Sequence, residues 1–188
     1  MSVNLLVRLA QELDKRSIPY MIIGGQAVLL YGEPRLTRDI DITLGLTPDE
    51  FSKVADVVQQ IGLKVLVDDA EGFVRQTWVF PTLHEESGLR VDFIFSWTPY
   101  EKGALQRARV VVVKETPVRF ASPEDVVIHK MLAGRPRDVE DVVSILRKQP
   151  IDVLYVSKWL EQFDSALGQD MAVRFRELLK SLKEEENE

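Results

Sequence analysis

The sequence predicts an α+β chain: a small mixed β-sheet flanked by helices over residues 1–120, then a helical C-terminal part over 121–188 packed on that core. Three observations predict it. Short runs of strand length, Tyr20–Ile23, Asp39–Leu44 and Arg90–Phe95, are apolar or alternate polar with apolar. Stretches of helical period lie between them, at residues 2–16 and 51–61. From residue 122 onward only helical patterns follow.

In the first helix Val3, Leu5, Leu6, Leu9 and Leu13 form the apolar stripe, and Ser17-Ile18-Pro19 breaks it. Tyr20–Ile23 then feeds a Gly24-Gly25 turn, a short apolar helix pattern and a Pro/Arg-rich loop ending at Asp39. Thr47-Pro48-Asp49-Glu50 supplies an N-cap, a first-turn proline and two acids at the positive end of the next helix. Its stripe is Phe51, Val54, Val57, Val58 and Ile61, and Gly62 closes it. Leu63–Val67 reads as a short strand, Asp68–Gly72 as a solvated turn, and Phe73–Leu83 as a second strand. Thr98-Pro99 opens a helix that ends near Arg109, before a strand at Val110–Val113. Ser122-Pro123 caps a helix over Val126–Ala133, Gly134-Arg135-Pro136 breaks it, and Arg137 starts the next. Two amphipathic helices, 150–168 and 170–184, precede a charged tail expected to fray.

Composition narrows the function classes. A chain of 188 residues, 45% hydrophobic and 29% charged, suits an ordinary globular protein. With no cysteine, disulfides, thiol catalysis and zinc–cysteine sites are all excluded. No apolar run of about 18 residues is present, and the start Met1-Ser2-Val3-Asn4 lacks a secretory pattern, so a cytoplasmic location is expected. A net charge of −6 argues against a protein that coats nucleic acid, although a local basic patch is compatible with it.

The chemistry concentrates in Asp39-Ile40-Asp41-Ile42-Thr43-Leu44. Strand alternation puts Asp39 and Asp41 on one face and the apolar residues on the other. Two carboxylates roughly 6–7 Å apart repel by about 2–3 kcal/mol at an effective dielectric of 20. A counter-charge is therefore expected, and a divalent cation such as Mg²⁺, bound by one or two carboxylates plus phosphate oxygens, is the simplest. A solvated strand face is the alternative. Gly24 and Gly25, at a strand end opening a helix, let backbone N–H groups approach a phosphate, or else make a plain tight turn. Asp92 interrupts an apolar run, and such a carboxylate is rarely unpaired. If its strand lies beside the Asp39/Asp41 strand it joins the site; otherwise an ion pair with Arg90 or another base accounts for it.

The order Gly-Gly-x-Ala…Gly-x-Pro-Arg-x-Thr-x-Asp-Ile-Asp resembles the nucleotidyltransferase superfamily with the DNA-polymerase-beta-type fold. Its Arg-x-Thr-x-Asp-Ile-Asp form is most similar to the minimal bacterial branch that includes AbiEii-like toxins, and the likeness spans roughly residues 18–145. The resemblance implies that Asp39, Asp41 and Asp92 hold a two-ion Mg²⁺ site, with Asp92 also taking a proton from the attacking hydroxyl. It implies a nucleoside triphosphate donor, cradled by Gly24 and Gly25 and neutralised by Arg35 or Arg38, with Thr37 setting the loop. A looser late motif, Lys130, Arg135, Asp138 and Asp141, places Lys130 and Asp138 as candidate nucleotide contacts. The acceptor, an RNA end, a protein or a small molecule, stays open, as does the choice among ATP, CTP, GTP and UTP. A toxin role, with an antitoxin partner or a homodimer, is compatible with the branch. The alternatives are a catalytically inactive nucleotide-binding or complex-forming member of the same fold, and a metal-dependent phosphohydrolase.

Overall fold

The computed structural model describes residues 2–96 and 98–185, Ser2 as backbone alone; the last residues of the charged tail, 186–188, lie outside them. The chain divides into two compact units, Met1–Gln26 with Leu36–Ser122, and Ala27–Arg35 with Pro123–Glu188.

The first unit is built on a mixed sheet. Helix α1 (Ser2–Lys15) precedes β1 (Tyr20–Ile23), whose four residues are all buried. Helix α2 (Gly24–Tyr31) follows without a linker, and β2 (Asp39–Leu44) comes after the Pro34–Arg38 loop. A 3-10 turn at Pro48–Glu50 leads into α3 (Phe51–Ile61), closed by Gly62 at φ 77°. Then come β3 (Lys64–Val65), α4 (Ala70–Thr77), β4 (Val79–His84) and β5 (Leu89–Phe95). Helix α5 (Pro99–Arg107) and the hairpin β6 (Arg109–Val113)–β7 (Thr116–Phe120) complete the unit. The strand order is β3-β4-β5-β2-β1-β7-β6. Strand β1 is antiparallel to β2 and parallel to β7, while β2 is parallel to β5, so the sheet is mixed at its centre. Leu9, Leu13, Ile22, Ile40, Ile42, Val91 and Phe93 are among its fully buried residues. Burying a side chain of this kind contributes about 1.5–3 kcal/mol. Helix α1 packs on β7 and α3.

The second unit is helical: α6 (Pro123–Ala133), α7 (Pro136–Lys148), α8 (Val153–Leu167) and α9 (Met171–Glu185). Helix α6 packs against α7, α8 and α9. Segment Ala27–Arg35 belongs with these helices, so the change of unit falls inside α2.

Two expectations need correction. The strand read at Phe73–Leu83 is a helix up to Thr77, and its strand part is β4. Asp69 caps that helix by accepting from the Gly72 N–H at 3.0 Å, and Trp78 ends it at φ 62°. The aromatic and β-branched residues that straddle the junction gave both halves a strand-like composition. Strand β7 was not anticipated either; a left-handed Lys114-Glu115 pair, at φ 47° and 66°, turns the chain tightly enough to pair it with β6.

Candidate active site

Strand alternation and register assemble the site. On β2, Ile40 and Ile42 are fully buried, whereas Asp39 is exposed and Asp41 half-buried, so the two acids share the open face. Strand β5 repeats the pattern, with Val91 and Phe93 buried and Arg90 and Asp92 toward solvent. The parallel register pairs Asp39 with Arg90 and Asp41 with Asp92. Partners across a ladder present side chains to the same face, about 5 Å apart. The result is a square of three carboxylates and one guanidinium.

Register also brings the diglycine bend to this square, since Ile23, the last residue before the bend, pairs with Asp41. Gly24 sits at φ 61°, a left-handed conformation glycine adopts freely. A Cβ added there would lie 2.0 Å from Asp41 Oδ2 and 3.0 Å from its Cγ. The missing side chain is thus what lets the Asp41 carboxylate stand against the bend. Gly25 is buried in the first turn of α2. Buried Gln26 donates from Nε2 to the Asp39 carbonyl at 3.4 Å, and Thr37 Oγ1 donates to the same carbonyl at 3.4 Å. Both steady the backbone that carries Asp39. Gln26 was not singled out by its sequence; amide side chains at helix starts carry no distinctive pattern.

Arg90 brings a positive charge to these acids. Its Nε donates to Asp92 Oδ1 at 2.8 Å. That bond to Asp92 raises the guanidinium pKa, and the charges of Asp39 and Asp41 add to the effect despite partial desolvation. Arg38 is exposed, and its carbonyl accepts the Arg90 N–H at 3.1 Å.

The donor chemistry, hard carboxylate oxygens on one strand face, fits Mg²⁺, which needs only one or two protein carboxylates when substrate phosphates supply the rest. Yet no group of three or more Asp, Glu, His or Cys side chains among the described residues is gathered closely enough to hold a metal ion. Asp92 is in register beside Asp41 but engaged by Arg90. The register and the ion pair coexist at Asp92.

The other expected nucleotide contacts lie in the helical unit, where their charges are committed. Arg35 makes a bidentate pair with Asp141, Nε to Oδ1 at 2.7 Å and Nη2 to Oδ2 at 2.7 Å. This pairing raises the Arg35 pKa. Lys130, 6% exposed, bridges Asp138 at 2.7 Å and Asp141 at 2.9 Å. Arg135 closes the network on Asp138 at 2.7 Å. Burial alone would raise both aspartate pKa values, but hydrogen bonds from Arg135, Lys130 and Arg35 outweigh it and hold them below the usual range. A cavity of about 810 Å³ runs along α7 in this unit, walled by both signs of charge, among them Arg35, Arg137, Glu140 and Arg147, and includes none of the sheet acids.

Comparison with known proteins identifies the family and the fold. The family described as "Nucleotidyl transferase AbiEii toxin, Type IV TA system" matches residues 5–188. No curated protein shows significant sequence similarity. Among solved structures, the solution structure of the antibiotic-resistance factor ANT(2'')-Ia is similar at TM-score 0.55 and 18% identity, covering 99% of this chain and 97% of that one. The crystal structure of ANT(2'')-Ia in complex with adenylyl-2''-tobramycin gives TM-score 0.54 at 18% identity, over 94% and 97% of the two chains. An antigenic nucleotidyltransferase-like protein from Paracoccidioides brasiliensis gives TM-score 0.57 at 17% identity, over 95% and 91%. At these identities the likeness is one of fold.

Proposed function

Because the chain belongs to the AbiEii nucleotidyl transferase toxin family and is a nucleotidyltransferase, we propose that it moves an NMP from an NTP to a hydroxyl acceptor with Mg²⁺ held by Asp39, Asp41 and Asp92. What carries this reading is the register that sets Asp92 beside Asp41 while Gly24 gives way to the Asp41 carboxylate. When bound, the cation supplies charge neutralisation on the attacking and leaving oxygens of an in-line displacement. Asp39 and Asp41 would hold it from a strand whose backbone Gln26 and Thr37 steady. Gly24 and Gly25, at the N-terminus of α2, offer backbone N–H groups to the triphosphate. Exposed Arg38 is the cation placed to meet phosphate oxygens on the sheet side. Asp92 accepts the proton of the acceptor hydroxyl as its oxygen bonds to the α-phosphorus. The bond from that phosphorus to the bridging oxygen breaks, and pyrophosphate leaves.

Arg35, Lys130 and Asp138 take a different part here. The ion pairs of Arg35 with Asp141 and of Lys130 with Asp138 and Asp141 fix α7 and the Ala27–Arg35 segment within the helical unit. The toxin role follows the family description, with the acceptor as the molecule whose modification stops growth.

The test is incubation of the purified chain with each α-labelled NTP, Mg²⁺ and a cell extract. Label entering one acceptor class, and absent with Asp41→Asn, is the expected result. Release of free phosphate in place of pyrophosphate would instead mark a phosphohydrolase.

A further inference from the structure

The square on β2 and β5 holds a cation for which the transfer reaction has no use. Arg90 stands opposite Asp39 in the strand register and two residues from Asp92, whose Oδ1 it binds at 2.8 Å. The two partners differ in freedom. Half of the Arg90 side chain is exposed, whereas that of Asp92 is 17% exposed and set between buried Val91 and Phe93. The arginine is able to swing away; the aspartate is held by its strand.

We infer that Arg90 is a resident counter-ion that competes with the divalent cation for Asp92, so that cation binding and the Arg90–Asp92 ion pair exclude each other. The inference rests on the reading of Asp39, Asp41 and Asp92 as the metal end of a transferase. A cation drawing oxygens from Asp41 and Asp92 would stand within a few ångströms of the guanidinium, and like charges that close repel even at a high effective dielectric. Before the cation arrives, the same guanidinium offsets the mutual repulsion of three acids on one face and keeps Asp92 oriented along the strand pair. Arg90 is therefore a positioning residue that also weakens cation binding.

The experiment is a titration of the full chain with Mn²⁺ in the absence of nucleotide, reading free Mn²⁺ by electron paramagnetic resonance. Wild type, Arg90→Gln, Asp92→Asn and the double variant are compared after circular dichroism confirms folding. An ion pair with a half-exposed partner is worth little in free energy, so Arg90→Gln is expected to tighten Mn²⁺ binding about two- to fivefold. In the Asp92→Asn background the same change should have no effect. Equal or weaker Mn²⁺ binding by Arg90→Gln overturns the inference. A second readout needs no variant: on adding Mg²⁺ to ¹⁵N-labelled wild type, the Arg90 Nε–H signal should shift and exchange faster with water as the site fills. A signal unchanged at saturating Mg²⁺ also overturns it. Mn²⁺ binding that Asp92→Asn abolishes and Arg90→Gln leaves alone refutes the competition but keeps the metal site. Binding by none of the four proteins refutes both.

Discussion

Replacing Gly24 by alanine tests whether the bend and Asp41 work as one device. The new Cβ would begin 2.0 Å from Asp41 Oδ2. An ordinary contact to that oxygen is roughly 3.5 Å, so the carboxylate must retreat by about 1.5 Å. Asp41 is half-buried on an open face, so the retreat is a side-chain rotation and adds little to the folding cost. The backbone adds more, because alanine at φ 61° costs about 1–2 kcal/mol. For a domain of this size each kcal/mol lowers Tm by roughly 2–4 °C, so a loss of about 2–8 °C is expected. Activity should suffer far more, since a displacement of about 1 Å in a reacting group can cost on the order of 10²-fold. The assay pairs a thermal melt with incorporation of label from α-labelled NTP. A variant that melts lower yet transfers within about threefold of wild type would show that Asp41 need not stand against the bend, and the site as drawn would be wrong.

Asp39→Asn or Asp41→Asn should abolish NMP transfer while Tm holds or rises, because each removes part of an acid–acid repulsion worth about 2–3 kcal/mol; a fall of several degrees would mean the acids serve folding. Lys130→Met removes the cation shared by two buried carboxylates that keep Arg35 and Arg135, so a loss of about 1.5–3 kcal/mol in denaturant unfolding is expected, and one below about 0.5 kcal/mol would contradict the network. Asp138 and Asp141 are held below their ordinary 3.8, so the stability they contribute is full above that pH and drains away as pH falls through their folded values. Asp141→Asn should therefore flatten the stability curve below about pH 4, measured by denaturant midpoints. Burial pushes His129 down from 6.5 to about 4, so its contribution is complete above pH 6.5 and is lost between there and about pH 4. That drop corresponds to at most about 3 kcal/mol, and His129→Gln should remove the slope in that window.

Much of the sheet centre was legible in the chain. Asp39-Ile40-Asp41-Ile42 declares its two faces by strict alternation, and Gly24-Gly25 after Tyr20–Ile23 marks the bend. A strand with one buried face has its register fixed by which side chains must go inside, so Asp92, flanked by Val91 and Phe93, comes to the same face as Asp41 once β2 and β5 pair. The pairing itself is a long-range event with no local signal. Arg90 shows the limit: an arginine two residues before an acid is read equally well as a solvated neighbour or as its ion partner. Only the ladder shows that it also stands opposite Asp39. Residues 70–83 misled because Phe73, Val74, Trp78, Val79 and Phe80 are strand-like in type, while the Asp69 cap that starts α4 looks like one acid of a turn.

Lys130 and Asp138 carry a broader lesson about cations and acids at helical spacing. The same residue types that would grip a triphosphate also make a self-sufficient salt-bridge network, and spacing alone does not separate the two. Burial does. Lys130, Asp138 and Asp141 are all at most 6% exposed, and each has protein partners at 2.7–2.9 Å. Admitting a phosphate there would mean breaking ion pairs that burial shields from solvent, which is costly in a desolvated site. On β2 and β5 the charges are half open, three acids face one arginine, and the uncompensated charge is negative. An incoming divalent cation gains there without stranding a buried partner. Under the proposed function, reaction chemistry belongs to the sheet face and the late lysine–aspartate motif to the framework of the helices.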